Sequence, residues 1–116
     1  METIPENCFW QSGLEEIKIP ERVRVIEKAA FQECKNLRRV IFPEELKTIG
    51  EFCFQESGLA ELTIPNSVKK IEKLAFSMCP ELKKVVLSEG LEVIPENCFW
   101  QSGLEEIKIP ESVKTI

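Results

Sequence analysis

A stretch of 18 residues, IPENCFWQSGLEEIKIPE, occurs twice in this chain of 116 residues, at 4–21 and without change at 94–111. The two copies begin 90 residues apart, the difference between positions 94 and 4. An identity at this distance indicates a tandem repeat. Repeated units of this kind fold by stacking on their neighbours, because a single unit cannot bury its apolar face alone.

Within the 90 residues a shorter period is visible. Cutting before each recurring Leu gives units of alternating 23 and 22 residues, so the full period is a pair of 45 residues. Periods of about 20–29 residues with recurrent Leu are typical of leucine-rich solenoids. The sequence therefore predicts one repeat domain over 1–116, consisting of a partial unit 1–13, units 14–36, 37–58, 59–81 and 82–103, and a partial unit 104–116.

Each unit has a short apolar alternation near its start. Counted from the recurring Leu as position one, positions four and six are apolar and position five is polar or mixed, which indicates a strand with one buried face. Pro20, Pro43, Pro65 and Pro110 follow position six and should end the strand, because proline has no N–H for a ladder. A second extended segment is expected at positions ten to thirteen.

The rest of each unit is expected to return the chain to the next strand. Positions fourteen to twenty-one (EKAAFQEC, GEFCFQES) predict a short helical or 3₁₀ turn, and Ser-Gly pairs at 12–13, 57–58 and 102–103 predict the return. Position eighteen is Phe in every unit. Stacking would place these rings in one core ladder: Phe9, Phe31, Phe54, Phe76 and Phe99.

The unit pattern LxxIxIPxxVxxIxxxAFxxCxx resembles the BspA-like (Treponema pallidum type) leucine-rich repeat, and the resemblance covers the whole chain. It rests on five Leu-x-x-(Ile/Val/Leu) strands, four prolines after them and five Ala-Phe or Cys-Phe pairs. The Asn ladder of the better-known leucine-rich repeats is missing. The resemblance implies a curved solenoid with a parallel sheet along one side. It also implies a secreted or cell-surface microbial parent that binds host proteins or other cells.

Charge and hydropathy argue against two classes of partner. The chain has 20 acidic and 15 basic residues, a net charge of −5, and no basic cluster, which argues against nucleic acid and anionic membranes. No apolar run is long enough to cross a bilayer. The start, METIPENC, enters the repeat directly, so we expect no signal peptide in this sequence.

The residue types needed for common catalytic chemistry are missing. The sequence has no His, no Tyr and no glycine-rich phosphate loop. Glu16, Glu61 and Glu106 recur with the repeat and are expected on a solvated face. The sequence therefore predicts a protein that is not an enzyme and has no cofactor.

The five cysteines follow the repeat. Cys8, Cys53 and Cys98 share a position with alanines of other units, and Cys34 and Cys79 share one with serines. This exchange is typical of small core residues. A disulfide framework would favour an even count, and a zinc site would favour close pairs with His. We therefore expect no metal site.

The outward positions of the strands provide the candidate protein-binding sheet face. Charge alternates from strand to strand at position three, which favours cross-strand pairing, while Ile41, Thr63 and Val86 form a small apolar strip at position five. Five strands give a face of about 480 Å², against about 800 Å² per partner in a standard interface. Binding by this face alone should be weak unless loops contribute or the chain assembles. The candidate residues are Glu16, Lys18, Arg39, Ile41, Glu61, Thr63, Lys84, Val86, Glu106 and Lys108.

Trp10 and Trp100 occupy position nineteen of the first and last short units, where the middle short unit has Gln55. Phe52, three residues before Gln55, supplies that unit's aromatic group. This compensation favours packing on the outer side of the turn. The alternative is a pair of exposed Trp residues that contact a partner.

Two function hypotheses follow. The first is a non-catalytic protein-protein interaction module that binds through its sheet face or loops. The second is a designed or excised structural repeat scaffold with no natural ligand. Neither end of the sequence contains a recognisable polar cap, so we also expect self-association through the ends, as a homo-oligomer, an end-to-end stack or a domain-swapped assembly.

Overall fold

The computed structural model describes residues 2–91, 93–95 and 97–108, which form successive layers of a solenoid. We number the layers in chain order as residues 2–19, 23–42, 48–64, 70–87 and 93–108. The predictions at Ile109 and Pro110, and the rest of the last partial unit, lie outside the described residues. The strands are β1 (Glu2–Ile4), β2 (Glu16–Lys18), β3 (Val23–Ile26), β4 (Arg39–Ile41), β5 (Thr48–Ile49), β6 (Glu61–Thr63), β7 (Lys70–Ile71), β8 (Lys84–Val86) and β9 (Glu106–Lys108).

The strands form parallel sheets on two sides of the solenoid. The extended segments at positions ten to thirteen form one four-stranded sheet in the order β1-β3-β5-β7. The strands that follow the recurring Leu form a pair, β2-β4, and a triplet, β6-β8-β9. Both predicted extended segments are confirmed, and β2, β4 and β6 each end two residues before a proline.

The predicted aromatic ladder is confirmed in the core. Neighbouring rings lie nearly parallel, with centroids 5.1 Å apart for Phe9 and Phe31, 5.0 Å for Phe31 and Phe54, 5.4 Å for Phe54 and Phe76, and 5.8 Å for Phe76 and Phe99. The three central rings are fully buried, and the two terminal rings are partly buried. Ring contacts therefore connect all five layers.

The turn segments have the i to i+3 hydrogen bonds of the predicted short helical or 3₁₀ turn, but their backbone is not continuously helical. Hydrogen bonds between residues i and i+3 recur in these segments, as from the N–H groups of Cys8, Trp10 and Ser12 to the carbonyls of Pro5, Asn7 and Phe9. No helix occurs in the described part of the chain. A left-handed residue at positions sixteen and twenty interrupts helical geometry each time. These residues, all with φ between 54° and 60°, are Asn7, Gln11, Ala29, Glu33, Phe52, Glu56, Leu74, Met78, Asn97 and Gln101.

The left-handed residues aim alternate N–H groups at the next layer. Ala29, Phe31 and Glu33 donate to the carbonyls of Glu51, Cys53 and Gln55, each at 2.8 Å. The same pattern repeats between the other layers. The turn side of the solenoid is thus held by backbone hydrogen bonds, as the sheets are, although it contains no strand.

We expect the left-handed conformation at Glu56 to be sensitive to side-chain shape. Its φ is 59°, and its N–H donates to the Ser77 carbonyl at 3.1 Å. Asn tolerates this conformation whereas a β-branched residue does not, so Glu56→Val should lower the free energy of unfolding by about 1–2 kcal/mol relative to Glu56→Asn. Urea unfolding followed by circular dichroism measures this difference. The same pair of substitutions at exposed Glu44, where φ is not positive, is the control, and an equal difference at both sites would contradict the argument.

Gly58 has a role that the Ser-Gly prediction did not include. A Cβ atom at this residue would lie 2.5 Å from the Lys35 carbonyl oxygen of the preceding layer. Its φ is not positive. Glycine is needed here because two backbones approach closely, rather than for its freedom to turn.

Candidate protein-binding face

The predicted face residues lie on adjacent strands. In β2-β4, Glu16 is opposite Arg39 and Lys18 is opposite Ile41. In β6-β8-β9, the rows Glu61-Lys84-Glu106 and Thr63-Val86-Lys108 lie across the sheet. Val86 is partly buried, and the other face side chains in the described set are exposed.

The cross-strand charges alternate as the sequence predicts, but they do not form close ion pairs. Glu61, Lys84 and Glu106 are direct neighbours across β6, β8 and β9. Among the described side chains, however, ion pairs join only Arg24 to Glu45 (3.2 Å) and Lys70 to Glu72 (3.4 Å), both away from this face. Exposed charges at this spacing stay solvated, and each contributes little to stability.

The sheet face is interrupted between β4 and β6. In the neighbouring layers, the position-six N–H donates to the position-five carbonyl of the next layer, as Ile19 does to Ile41 at 3.0 Å and Ile64 to Val86 at 2.9 Å. The equivalent bond from Phe42 to Thr63 does not form between these two fully described strands. The face is therefore two sheets rather than the single continuous sheet that the sequence suggests.

The aromatic side chain at position six accounts for the interruption. Other layers have Ile19, Ile64 and Leu87 at this position, and all three are buried. Phe42 is bulkier, only partly buried, and meets the Phe54 ring edge-on at a centroid distance of 5.8 Å and an angle of 86°. The missing ladder between β4 and β6 thus falls at the layer whose position six holds the larger, aromatic side chain.

A groove of about 670 Å³ lies along this interruption. Ile41, which is 41% exposed, stands on its β4 side. Four residues along the groove, Arg39, Ile41, Glu61 and Thr63, were predicted from the sequence, whereas Arg38, Phe42 and Pro65 were not. The single aromatic residue at position six was the available signal. The groove is lined by Arg38, Arg39, Val40, Ile41, Phe42, Ala60, Glu61, Leu62, Thr63 and Pro65.

Four of the five cysteines pack in the core, and the prediction is wrong for Cys8. Cys34, Cys53, Cys79 and Cys98 are buried, whereas Cys8, in the first layer, is exposed. Exchange with Ala therefore predicted burial correctly for Cys53 and Cys98 but not for Cys8, and exchange with Ser predicted it correctly for Cys34 and Cys79.

Burial changes the acidity of three of these thiols. It raises the pKa of Cys98 to about 12 and raises the pKa of Cys53 and Cys79 as well. The cause at all three is desolvation, which disfavours the thiolate, and at Cys98 it is opposed mainly by a hydrogen bond with the Phe76 backbone. These thiols are poor nucleophiles and poor metal ligands at neutral pH.

The serines and cysteines at position twenty-one form hydrogen-bonded pairs across layers. The Cys34 thiol donates to the Phe9 carbonyl at 3.0 Å and lies 3.5 Å from the Ser12 hydroxyl. Cys79, two layers further along, makes the same two contacts. Its thiol donates to the Phe54 carbonyl at 3.2 Å and lies 3.3 Å from the Ser57 hydroxyl. The alternation of Ser and Cys along the sequence was the signal for this pairing.

The described residues contain no candidate metal centre. Within 2–91, 93–95 and 97–108, no group of three or more Cys, Asp or Glu side chains is arranged to hold a metal ion. The carboxylates at Glu16, Glu61 and Glu106 stand exposed on the sheet face. In the same part of the chain, no helix has the length and apolar character needed to cross a membrane.

The tryptophans are exposed, so the packing interpretation is wrong. Trp10 is 48% exposed and Trp100 is 49% exposed. Position nineteen points outward from the turn segment, and in the middle layers it holds polar groups: Gln32 donates to Gln55, and Gln55 donates to the Ser77 hydroxyl at 3.0 Å. The two indoles therefore flank a polar ladder in the first and fifth layers.

Comparison with known proteins gives the same architecture. The family model described as the BspA type leucine rich repeat region matches residues 2–116 in 6 copies. The solved leucine-rich repeat protein of T. pallidum is similar, with 28% identity over 97% of this chain and 65% of that one, and a TM-score of 0.75. A leucine rich cell surface protein from Faecalibacterium prausnitzii has 29% identity over 92% of this chain and 30% of its own, and a TM-score of 0.70.

A third structure is similar in fold alone. A leucine-rich repeat protein from Bacteroides ovatus has 24% identity over 96% of this chain and 42% of its own, with a TM-score of 0.59. The chain therefore spans less than two thirds of each of these structures. No curated protein sequence matches it. The unit pattern, the parallel stacked layers and the family match lead to one conclusion: the chain belongs to the BspA-type leucine-rich repeat family.

Proposed function

We propose that the chain is a non-catalytic protein-interaction module that binds an extended segment of a partner protein in the groove between β4 and β6. The interruption of the sheet is the observation that carries this proposal. The Phe42 N–H and the Thr63 carbonyl lack the hydrogen bond that their equivalents make in neighbouring layers. An extended peptide can satisfy such backbone groups, as in recognition by added strands.

The chemistry of the groove suggests which segments would bind. Ile41 and Phe42 offer apolar contact. The charged side chains along the groove are two exposed cations, Arg38 and Arg39, and one carboxylate, Glu61. A segment with aliphatic or aromatic side chains and a flanking Asp or Glu would complement this arrangement. The small area of the face predicts weak binding by a single module.

A cell-surface role is consistent with this proposal. The similar protein from Faecalibacterium prausnitzii is described as a cell surface protein. Repeated weak sites along a longer solenoid would strengthen attachment through multivalency. The proposal for this chain, however, depends on the groove and not on that comparison.

We expect Ile41→Asp to abolish peptide capture, because it places a carboxylate on the apolar wall of the groove. Short random peptides displayed on phage, selected against the 116-residue chain, should enrich acidic-apolar sequences. Their synthetic versions should bind the chain but not the variant, as measured by isothermal titration calorimetry. Arg39→Glu should lower the affinity for the same peptides and reduce the salt dependence of their binding.

Val93→Asp is the matched control, because Val93 is an equally exposed aliphatic residue (48%) away from the groove. This variant should bind the selected peptides as the unchanged chain does. Enrichment of no peptide would favour the alternative of a structural scaffold without a ligand. Peptides that bind Ile41→Asp unchanged would place the binding site elsewhere.

A further inference from the structure

Three backbone N–H groups in the fifth layer have no acceptor among the described residues. Asn97, Phe99 and Gln101 occupy the positions from which N–H groups of the other layers donate to the following layer. Their conformations match those layers, with φ of 54° at Asn97 and 55° at Gln101. The fifth layer thus presents a preformed row of donors, beside a Phe99 ring that is only partly buried.

The first layer shows what this row can bind. Asn7, Phe9 and Gln11 are the same residues in the same sequence, and their N–H groups donate to the carbonyls of Lys28, Ala30 and Gln32 at 3.2, 2.8 and 3.0 Å. The Phe9 ring stacks on Phe31 at 5.1 Å, and the Gln11 amide donates to the Glu33 carboxylate at 3.0 Å. The second layer is therefore complementary to this sequence.

We propose that residues 97–108 of one copy of the chain replace residues 7–18 of a second copy on the second layer of that copy. Every side chain of the replaced segment has an identical counterpart in the replacing one, because the two segments have the same sequence. The strands agree as well: β2 and β9 are both Glu-Ile-Lys, so β9 would pair with β4 in the register Glu-Arg, Ile-Val and Lys-Ile. The partner surface is a second copy of this chain.

The alternation of layers favours exchange over simple stacking of ends. Ser12 and Ser102 belong to the layers with Ser at position twenty-one, and each such layer is followed by a layer with Cys. Stacking the fifth layer of one copy on the first layer of another would place Ser102 against Ser12. Exchange instead places Ser102 against Cys34, which is the contact that Ser12 makes at 3.5 Å.

A thiol at position 102 would report this contact. Ser102→Cys is a mild change, since Cys occupies the same position in alternate layers. Under mild oxidation at high protein concentration, we expect disulfide-linked dimers and longer head-to-tail oligomers, whose bonds, mapped by mass spectrometry, join position 102 of one copy to Cys34 of the next. Mixing isotopically labelled and unlabelled copies shows that the bond is between chains. Within one chain these positions are separated by two intervening layers.

Disulfide bonds other than the one between position 102 and Cys34 of another copy would overturn the proposal. Bonds from position 102 to exposed Cys8, or between two positions 102, would indicate end stacking or random collision. A chain that stays monomeric and unlinked at the highest soluble concentration would also overturn it.

Ser12→Cys provides an independent test that does not require the first variant to fold. Its new thiol lies beside Cys34 of the same chain, so oxidation of the dilute protein should fix the first layer in place. Sedimentation equilibrium should show concentration-dependent dimers and longer oligomers for the unchanged chain and their loss in the oxidised variant. Equal dimerisation of both proteins would mean that the first layer need not leave, which would overturn exchange.

Discussion

Phe54→Ala is expected to destabilise the solenoid more than any other single truncation in the aromatic ladder. Phe54 is fully buried, lies between Phe31 and Phe76, and also receives the edge of Phe42. Removing the ring should lower the free energy of unfolding by about 3–5 kcal/mol, through lost burial and the cavity that remains. Since a domain of this size has about 5–15 kcal/mol in total, the variant should be close to unfolded at about 37 °C.

Phe9→Ala is the matched control for this prediction. Phe9 occupies the same position of the repeat, but it has one ring neighbour and is only partly buried. Urea unfolding of both variants, followed by circular dichroism, should give the larger loss for Phe54→Ala. Similar losses would show that contacts within a layer, rather than the ladder between layers, hold the solenoid together.

Alkaline pH is expected to unfold the chain through its buried thiols. Burial raises the pKa of Cys98 from 9.0 to about 12 and shifts Cys53 and Cys79 in the same direction. The folded state therefore keeps protons that the unfolded state releases above about pH 9. The stabilisation from these protonated thiols is fully present below about pH 9. Above about pH 9, each thiol should lower the free energy of unfolding by about 1.4 kcal/mol per pH unit, until the pH reaches the pKa of that thiol in the folded state.

Cys53→Ala should remove one of these contributions at little cost below about pH 9, because Ala30 and Ala75 fill the same position in neighbouring layers. Between about pH 9 and about pH 11, the free energy of unfolding should fall by about 3 kcal/mol less in the variant than in the unchanged chain. This difference is the effect of one thiol over about two pH units. Urea titrations under reducing conditions between about pH 8 and about pH 11 measure the difference. Cys8→Ala controls for removal of an exposed thiol, and identical profiles for Cys53→Ala and the unchanged chain would contradict the prediction.

Much of the fold could be predicted because the same residue pattern recurs in every unit, so an interpretation of one unit can be checked against the others. A single Phe is ambiguous, but Phe at position eighteen of every unit indicates stacking, and the ring distances confirm it. Pro20, Pro43 and Pro65 marked the strand ends for a local reason, the missing N–H. The burial of Cys53 followed from its exchange with Ala in other units.

The features that escaped prediction depend on contacts between particular layers. Ala29 is a good helix former, yet it adopts the left-handed conformation, in which its N–H reaches the Glu51 carbonyl of the next layer. The groove depends on how the Phe42 ring meets Phe54, which the apolar pattern does not specify. For these reasons the sequence could predict the sheet face as a candidate site, but not the interruption within it.

The interlayer hydrogen bonds between turn segments have an electrostatic consequence. In the described layers, the alternate N–H groups of one turn segment donate to carbonyls of the next, as from Phe31 to Cys53 and from Phe54 to Ala75. The peptide dipoles, each about 3.5 D, therefore add along the solenoid axis with their positive pole toward the fifth layer. An α-helix has its positive pole at the opposite, N-terminal, end. Acidic groups should consequently be stabilised near the fifth layer and basic groups near the first, and added salt should weaken both effects.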